Sequence, residues 1–268
     1  MADSSMAPER VKTIRFEPTP RLLRVEVAKT IVADTIRGMI LIESGHLPVY
    51  YFPRGDVRFD LLEDSARTTH CPYKGDAAYW HLTLGDRRIE DAVWGYPRPA
   101  ATAPGYQPPQ GPGGESLSEY VAFYWNKVDH WYEEDEEVFV HPRDPYKRVD
   151  AITSKRRVEV IIGGETVATS TNAVFLFETG LPVRYYLPRE DVNPEVLQSS
   201  EAHTRCPYKG VASYHRVVVN GQDHGDLAWY YRDPIQETHR IKDRIAFFNE
   251  KVDAIRIDGI EQLKPQTQ

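Results

Sequence analysis

The feature that most constrains this chain is that it says nearly everything twice. "THCPYKG" at residues 69–75 returns as "HTRCPYKG" at residues 203–210, and the step from Cys71 to Cys206 sets an offset of 135 residues. The same offset lays "VADTIRGMILIESG" on "VATSTNAVFLFETG", "YYFPRGDV" on "YYLPREDV", and Trp94 with Tyr96 on Trp229 with Tyr231. Copies of this length are the size of a domain, so the repeat predicts two similar domains from a duplication rather than a solenoid of short units.

The register breaks once. Trp94 to Val121 spans 27 residues and Trp229 to Ile245 spans 16, so the first copy carries 11 more. They fall in "PAATAPGYQPPQGPGG", where proline and glycine predict a surface loop without regular structure. Beyond it "VAFYWNKVD" matches "IAFFNEKVD". The expected organisation is a tail at 1–18, a first domain at 19–140 that ends just after an acidic run, a solvated connector at 141–155, a second domain at 156–258 and a tail at 259–268.

Within each copy, short runs such as "RVEV", "AVFLFET", "SYHRVVVNG" and "LAWYY" are rich in β-branched and aromatic residues and end in turn residues, the signature of strands. Helical signal is sparse. Its best carriers are "PREDVNPEVLQ" and "QETHRIKDRIAFFNE", where Ile241, Ile245 and Phe248 suit either one amphipathic helix or an irregular cover. The expected fold is mainly β: two duplicated antiparallel β-domains with few short helices.

A formal charge of −7 argues against a general nucleic-acid binder, which needs a basic face. The longest apolar runs have strand length, far short of the roughly 20 residues of a membrane-spanning helix. "MADSSMAPER" also lacks the order of a secretory leader, so a cytoplasmic location is expected and no membrane partner. Cys71 and Cys206 hold equivalent places in the two copies and read as reduced thiols rather than a disulfide. No Walker loop, no G-x-G-x-x-G after a strand and no paired C-x-x-C is present, and the histidines do not recur at matching places. Neither a metal nor a cofactor is expected.

The repeated Cys-Pro-Tyr-Lys-Gly stretch reads as a turn. Proline sits at its second position, and Gly75 or Gly210 lets the chain leave through an unusual φ. Such a turn brings the thiol of Cys71 or Cys206 near the ammonium of Lys74 or Lys209, a setting that favours thiolate. Packing alone accounts for the cysteines and for Tyr73 and Tyr208, whereas a repeated lysine points to an ion pair or a ligand. Arg54 and Arg189 follow a strand end, where Glu43 and Glu178 are candidate partners. An arginine fork beside a lysine is also what a phosphate or carboxylate site uses. Trp94 with Tyr96, and Trp229 with Tyr231, stand two apart in a strand and face the same way, as pocket walls or core. Tyr186 lies on the neighbouring strand motif.

Taken together, "TRCPYKGVASY", "RYYLPREDV", "LAWYYRDP" and "IAFFNEKVD", with their first-copy partners, resemble the bacterial and fungal family called domain of unknown function 427, across about residues 20–258. The resemblance implies a β-tent fold similar in outline to methionine sulfoxide reductases and small zinc-bound exchange factors. Those relatives hold zinc with C-x-x-C pairs that this chain lacks, so their activities do not carry over. The family's nucleotidyltransferase-like label has no motif here. Against the family pattern the second copy is the more regular: Glu190 and Ser213 face Gly55 and Ala78 in the first.

The expected function is binding of a small anionic or polar metabolite near the repeated turn. Its ligand-binding candidates are Arg189, Tyr186, Tyr208, Trp229, Tyr231, Arg54, Cys71, Tyr73, Lys74, Trp94 and Tyr96. One alternative is an enzyme using Cys206 or Lys209 covalently, with Glu178 or Glu190 moving protons. The other is a structural or partner-binding protein, the partner being unspecified.

Overall fold

The computed structural model describes residues 13–100 and 116–265, and the proline-glycine insertion lies almost wholly outside them. The chain forms two compact units that meet between Asp144 and Pro145 in the sequence. In the first unit, strands β1 Ile14–Pro18, β4 Met39–Glu43, β5 Val49–Pro53, β9 Tyr120–Phe123, β8 Arg87–Pro99, β7 Gly75–Leu84 and β6 Leu62–Cys71 lie side by side in that order as one sheet. A second sheet runs β11 Glu136–Val138, β10 His130–Glu133, β2 Leu23–Val27, β3 Thr30–Thr35. Every pairing is antiparallel.

The second unit repeats this strand for strand. β12 Val149–Ser154, β15 Ala173–Glu178 and β16 Arg184–Tyr186 form one sheet, and β17 Leu197–Cys206, β18 Gly210–Val219, β19 Gln222–Tyr231 and β20 Ala246–Phe247 another. β14 Glu165–Ser170, β13 Val158–Ile162, β21 Ala254–Ile257 and β22 Ile260–Glu261 make the small sheet. Where Phe52 pairs with Val121 in the first unit, Leu187 and Ile245 exchange two backbone hydrogen bonds of 2.8 Å. The offset read from the sequence is therefore a structural register. β1 falls within the expected N-terminal tail, β12 within the expected connector and β22 beyond residue 258.

No α-helix occurs among the described residues. "PREDVNPEVLQ" makes two 3-10 turns, Arg189–Asp191 and Pro194–Val196. Of the two forms open to "QETHRIKDRIAFFNE", the irregular cover is the one adopted. Gln236–Ile241 is a 3-10 segment broken at Thr238, and the chain then extends into β20. The reason is local: Ile245 bonds across to Leu187, Asp243 takes a positive φ of 56°, and neither fits a continuous helix. Among the described residues no helix is long and apolar enough to cross a membrane.

Each unit packs apolar residues on both faces of its main sheet. In the second unit the alternating Val158, Val160 and Ile162 of β13 meet Phe175, Leu187, Val217 and Phe247 in one core. On the opposite face Leu176, Tyr186, Trp229, Tyr231 and Ala246 gather. In the first unit Val25, Phe52, Val121 and Trp131 build the first core, and Leu41, Tyr51, Tyr96 and Ala122 the second. The continuous apolar strands β4 and β15 thus serve two cores. The aromatic second core positions the site.

Candidate functional site

Cys71 pairs with Gly75, and Cys206 with Gly210, so Pro-Tyr-Lys forms a three-residue loop closing each long hairpin. The Lys209 backbone N–H donates to the Cys206 carbonyl at 3.3 Å, as the turn reading requires. Gly75 and Gly210 leave at φ of 91° and 102°, values that side chains disfavour.

The loop lysine of each unit is paired with a carboxylate. Lys74 donates to Glu43 at the end of β4, and Lys209 to Glu178 at the end of β15. Glu43, Lys74 and Glu178 are buried and Lys209 nearly so. A second lysine, Lys147, holds the other oxygen of Glu178 at 3.1 Å and lies over the Tyr208 ring at 5.3 Å. Burial works against the charge on Glu178, but hydrogen bonds and attraction from Lys209 and Lys147 outweigh it and hold the carboxyl below its ordinary value. In the first unit His46 lies 3.7 Å from Glu43. The counterpart of Lys147 is Lys12, outside the described residues.

Around each ion pair stands an aromatic wall of one design. Trp229 donates its indole N–H to the Tyr186 hydroxyl at 3.1 Å, and its ring lies 4.5 Å from that of Phe248. Tyr214 stacks on Phe248 at 6.5 Å and shares a hydroxyl hydrogen bond of 2.8 Å with Thr204. The first unit repeats this with Trp94 on Tyr124 at 4.4 Å, Tyr79 on Tyr124 at 6.4 Å and Thr69 to Tyr79 at 2.7 Å. Burial raises the phenol pKa of Tyr51, Tyr96, Tyr186 and Tyr231, so these hydroxyls remain neutral hydrogen-bonding groups.

In the second unit the walls enclose a cavity of about 190 Å³ lined by Glu178, Arg184, Lys209, Tyr214, Trp229 and Phe248 among others. Arg184 makes a bidentate pair with Glu250, at 2.6 and 3.0 Å, and lies 5.6 Å from the Trp229 ring centroid.

Cys206, Lys209, Glu178, Tyr186, Trp229 and Tyr231 are thus brought together, as are Lys74, Glu43, Tyr51, Trp94 and Tyr96, with Cys71 against that second core. Tyr208 is buried and Tyr73 half-buried in the loop. Both cysteines are free and half-buried.

The candidate Glu–Arg pairing is not what forms. The loop lysines reach the carboxylates first, and the arginines lie on the opposite face. Arg189 meets His215 at 3.3 Å and the Tyr230 ring at 5.8 Å. Arg54 lies over Phe59 at 4.3 Å and Trp80 at 5.1 Å, beside a separate open groove of about 510 Å³. Glu190 is exposed on its 3-10 turn. Ser213 is no part of the cavity lining, because its neighbours Ala212 and Tyr214 take the inward positions of β18.

Arg184, Glu250, Tyr214, Phe248 and Lys147 were not expected. A signal for the first two existed: the register sets Val49 and Asn126 against Arg184 and Glu250, so an apolar–polar pair in one copy is an ion pair in the other. Among the described residues no group of three or more His, Cys, Asp or Glu is placed to hold a metal ion.

Residues 15–134 and 150–258 each match one family, described as Domain of unknown function (DUF427). The chain belongs to that family, as a tandem member. Each matched region lies within one of the two structural units. Among curated proteins, none matches this chain.

Proposed function

We propose that this DUF427 protein is a tandem small-molecule binding module, each repeat receiving a polar ligand beside its loop lysine. One observation carries the reading: in the second unit a buried Lys209–Glu178 pair opens into an aromatic-walled cavity. Burying two charges costs several kcal/mol per ion, and apolar replacements of equal size are often as stable. A charged pair kept at the same place in both repeats is therefore better explained by recognition than by stability. Aromatic walls with a few convergent polar groups are the usual make-up of a ligand site. The volume of about 190 Å³ suits a ligand smaller than drug size.

Covalent chemistry at Cys206 draws less support, since Lys209 is committed to Glu178. The test is a saturation-transfer NMR screen of small polar fragments against the full chain. Hits that vanish in Lys209→Ala and Trp229→Ala support the module. An empty screen, or hits indifferent to both substitutions, overturns it.

A further inference from the structure

We infer that the second repeat's cavity selects a small monoanion, a carboxylate on a planar body, and that Arg184 is the residue that confers this selectivity. The inference rests on the binding reading above and adds the ligand class. The cavity lining holds three ionised groups, Glu178, Lys209 and Arg184. Both oxygens of Glu178 are taken by lysines, Oε2 by Lys209 and Oε1 by Lys147. Two ammonium groups on one carboxylate leave one positive charge uncompensated.

Arg184 is balanced by Glu250, which is not part of the lining. Their bidentate contact uses two of the five guanidinium N–H groups, so three donors remain for a ligand. One negative charge brought into the cavity would compensate the surplus left by the two lysines on Glu178. A cationic ligand is disfavoured for a second reason. The electron-rich faces of Trp229 and Phe248 are already in use, with Arg184 over both and Lys251 over Phe248 at 4.4 Å. What the rings still offer is their edges and apolar surface, which fit a flat body.

In the first unit Val49 and Asn126 stand where Arg184 and Glu250 stand. The arginine over its aromatic cluster is instead Arg67, above Tyr79 at 4.6 Å and tethered to Asp91, and Lys127 lies over Tyr124 at 5.0 Å as Lys251 does over Phe248. The two repeats therefore present arginine from different strands, and the second unit's arrangement is its own.

The test uses three probes that share a ring and differ in charge: benzoate, benzamide and benzylamine. Each is titrated into the ¹⁵N-labelled full chain while the Trp229 indole resonance is followed, its assignment made by Trp229→Phe. Benzoate is expected to bind about tenfold or more tighter than either of the others. Arg184→Val, which installs the first repeat's residue, should weaken benzoate roughly 10-fold to 150-fold, the range for a hydrogen bond to a charged group. Glu250→Gln should do the reverse and tighten benzoate, because it frees the guanidinium. Damage to the fold would weaken binding in both variants, and the other indole resonances report folding directly. Equal binding of benzamide or benzylamine, or benzoate binding indifferent to Arg184→Val, overturns the monoanion assignment while leaving the binding module standing. If none of the three moves Trp229, the assignment falls. The module falls with it only if the fragment screen is also empty.

Discussion

Lys209 donates to Glu178 across 31 residues of sequence, and Lys74 donates to Glu43 across the same 31. In each unit this contact ties the hairpin loop to the end of a central strand, so one ion pair fixes where the aromatic walls and the loop meet. Removing one member of a buried pair costs about 3 to 5 kcal/mol because a charge is left without its partner. Lys147 still holds Glu178, so Lys209→Ala should fall at the lower end, about 3 kcal/mol by urea denaturation. The double variant Lys209→Met/Glu178→Leu should recover most of that loss, since Lys147 can turn to water. A double variant as unstable as the single one would show that the pair is there for stability.

The Glu178 carboxyl titrates below its ordinary value of 4.5. Its folded pKa is the lower one, so the stability it contributes is fully present above about pH 4.5 and is lost as pH falls through the folded value. Unfolding free energy measured from pH 6 down to pH 3 should therefore drop more steeply for the wild type than for Glu178→Gln, which cannot titrate. Parallel curves would show that the lysines do not hold the charge.

The duplication and the strand-rich fold were legible because the repeat supplies its own alignment, and among the described residues 22 strands fall into two sets of 11 at matching positions. The failures have physical causes. Spacing alone cannot distinguish a helix from a 3-10 turn followed by a strand, and at residues 236–247 the decision lies with the Leu187–Ile245 bridge, a contact made far along the chain. Arg189 is a candidate partner for Glu178 in the sequence because both lie near strand ends. A β-turn only places Lys209 near Cys206, and the direction of its side chain is set by where β15 ends. Tyr214 and Phe248 were hidden because an aromatic residue on an inward strand position has the same pattern in a core as in a cavity wall. The Arg184–Glu250 pair was visible only as two coupled differences between the copies.

The loop glycines are equivalent in sequence and unequal in space. A Cβ on Gly75 would sit 2.9 Å from the Ala100 nitrogen and 3.0 Å from the Arg98 oxygen, both backbone atoms, whereas on Gly210 the closest atom is the Asp233 oxygen at 3.3 Å. Both positions carry the strain of positive φ, about 1 to 3 kcal/mol for a residue with a side chain. Gly75→Ala should lower stability by more than Gly210→Ala, with thermal melting as the measurement. The reverse order would mean that the strands flanking Gly75 give way more easily than those flanking Gly210.

His215 is buried and lies against the other face of the same hairpin. Its Nδ1 is 3.2 Å from the Gln198 carbonyl, its Nε2 is 3.3 Å from Arg189, and its ring stacks on Tyr230 at 5.0 Å. A proton on Nδ1 donates to the carbonyl and leaves Nε2 to accept from the guanidinium, so the neutral tautomer satisfies both neighbours and the imidazolium would oppose a cation. Burial lowers its pKa from the ordinary 6.5, and Arg189 adds to that while the Gln198 carbonyl opposes it. The unfolded chain then takes up the proton first, so stability is complete above about pH 6.5 and declines as pH falls through the folded value. Denaturation at pH 7.5 and pH 5.5 should show a loss in the wild type that His215→Phe removes, the ring stack on Tyr230 being kept. Arg189→Ala should shrink the loss by relieving the repulsion. If the His215→Phe protein loses as much stability between the two pH values as the wild type, the acid sensitivity belongs to another group and this histidine is only packing.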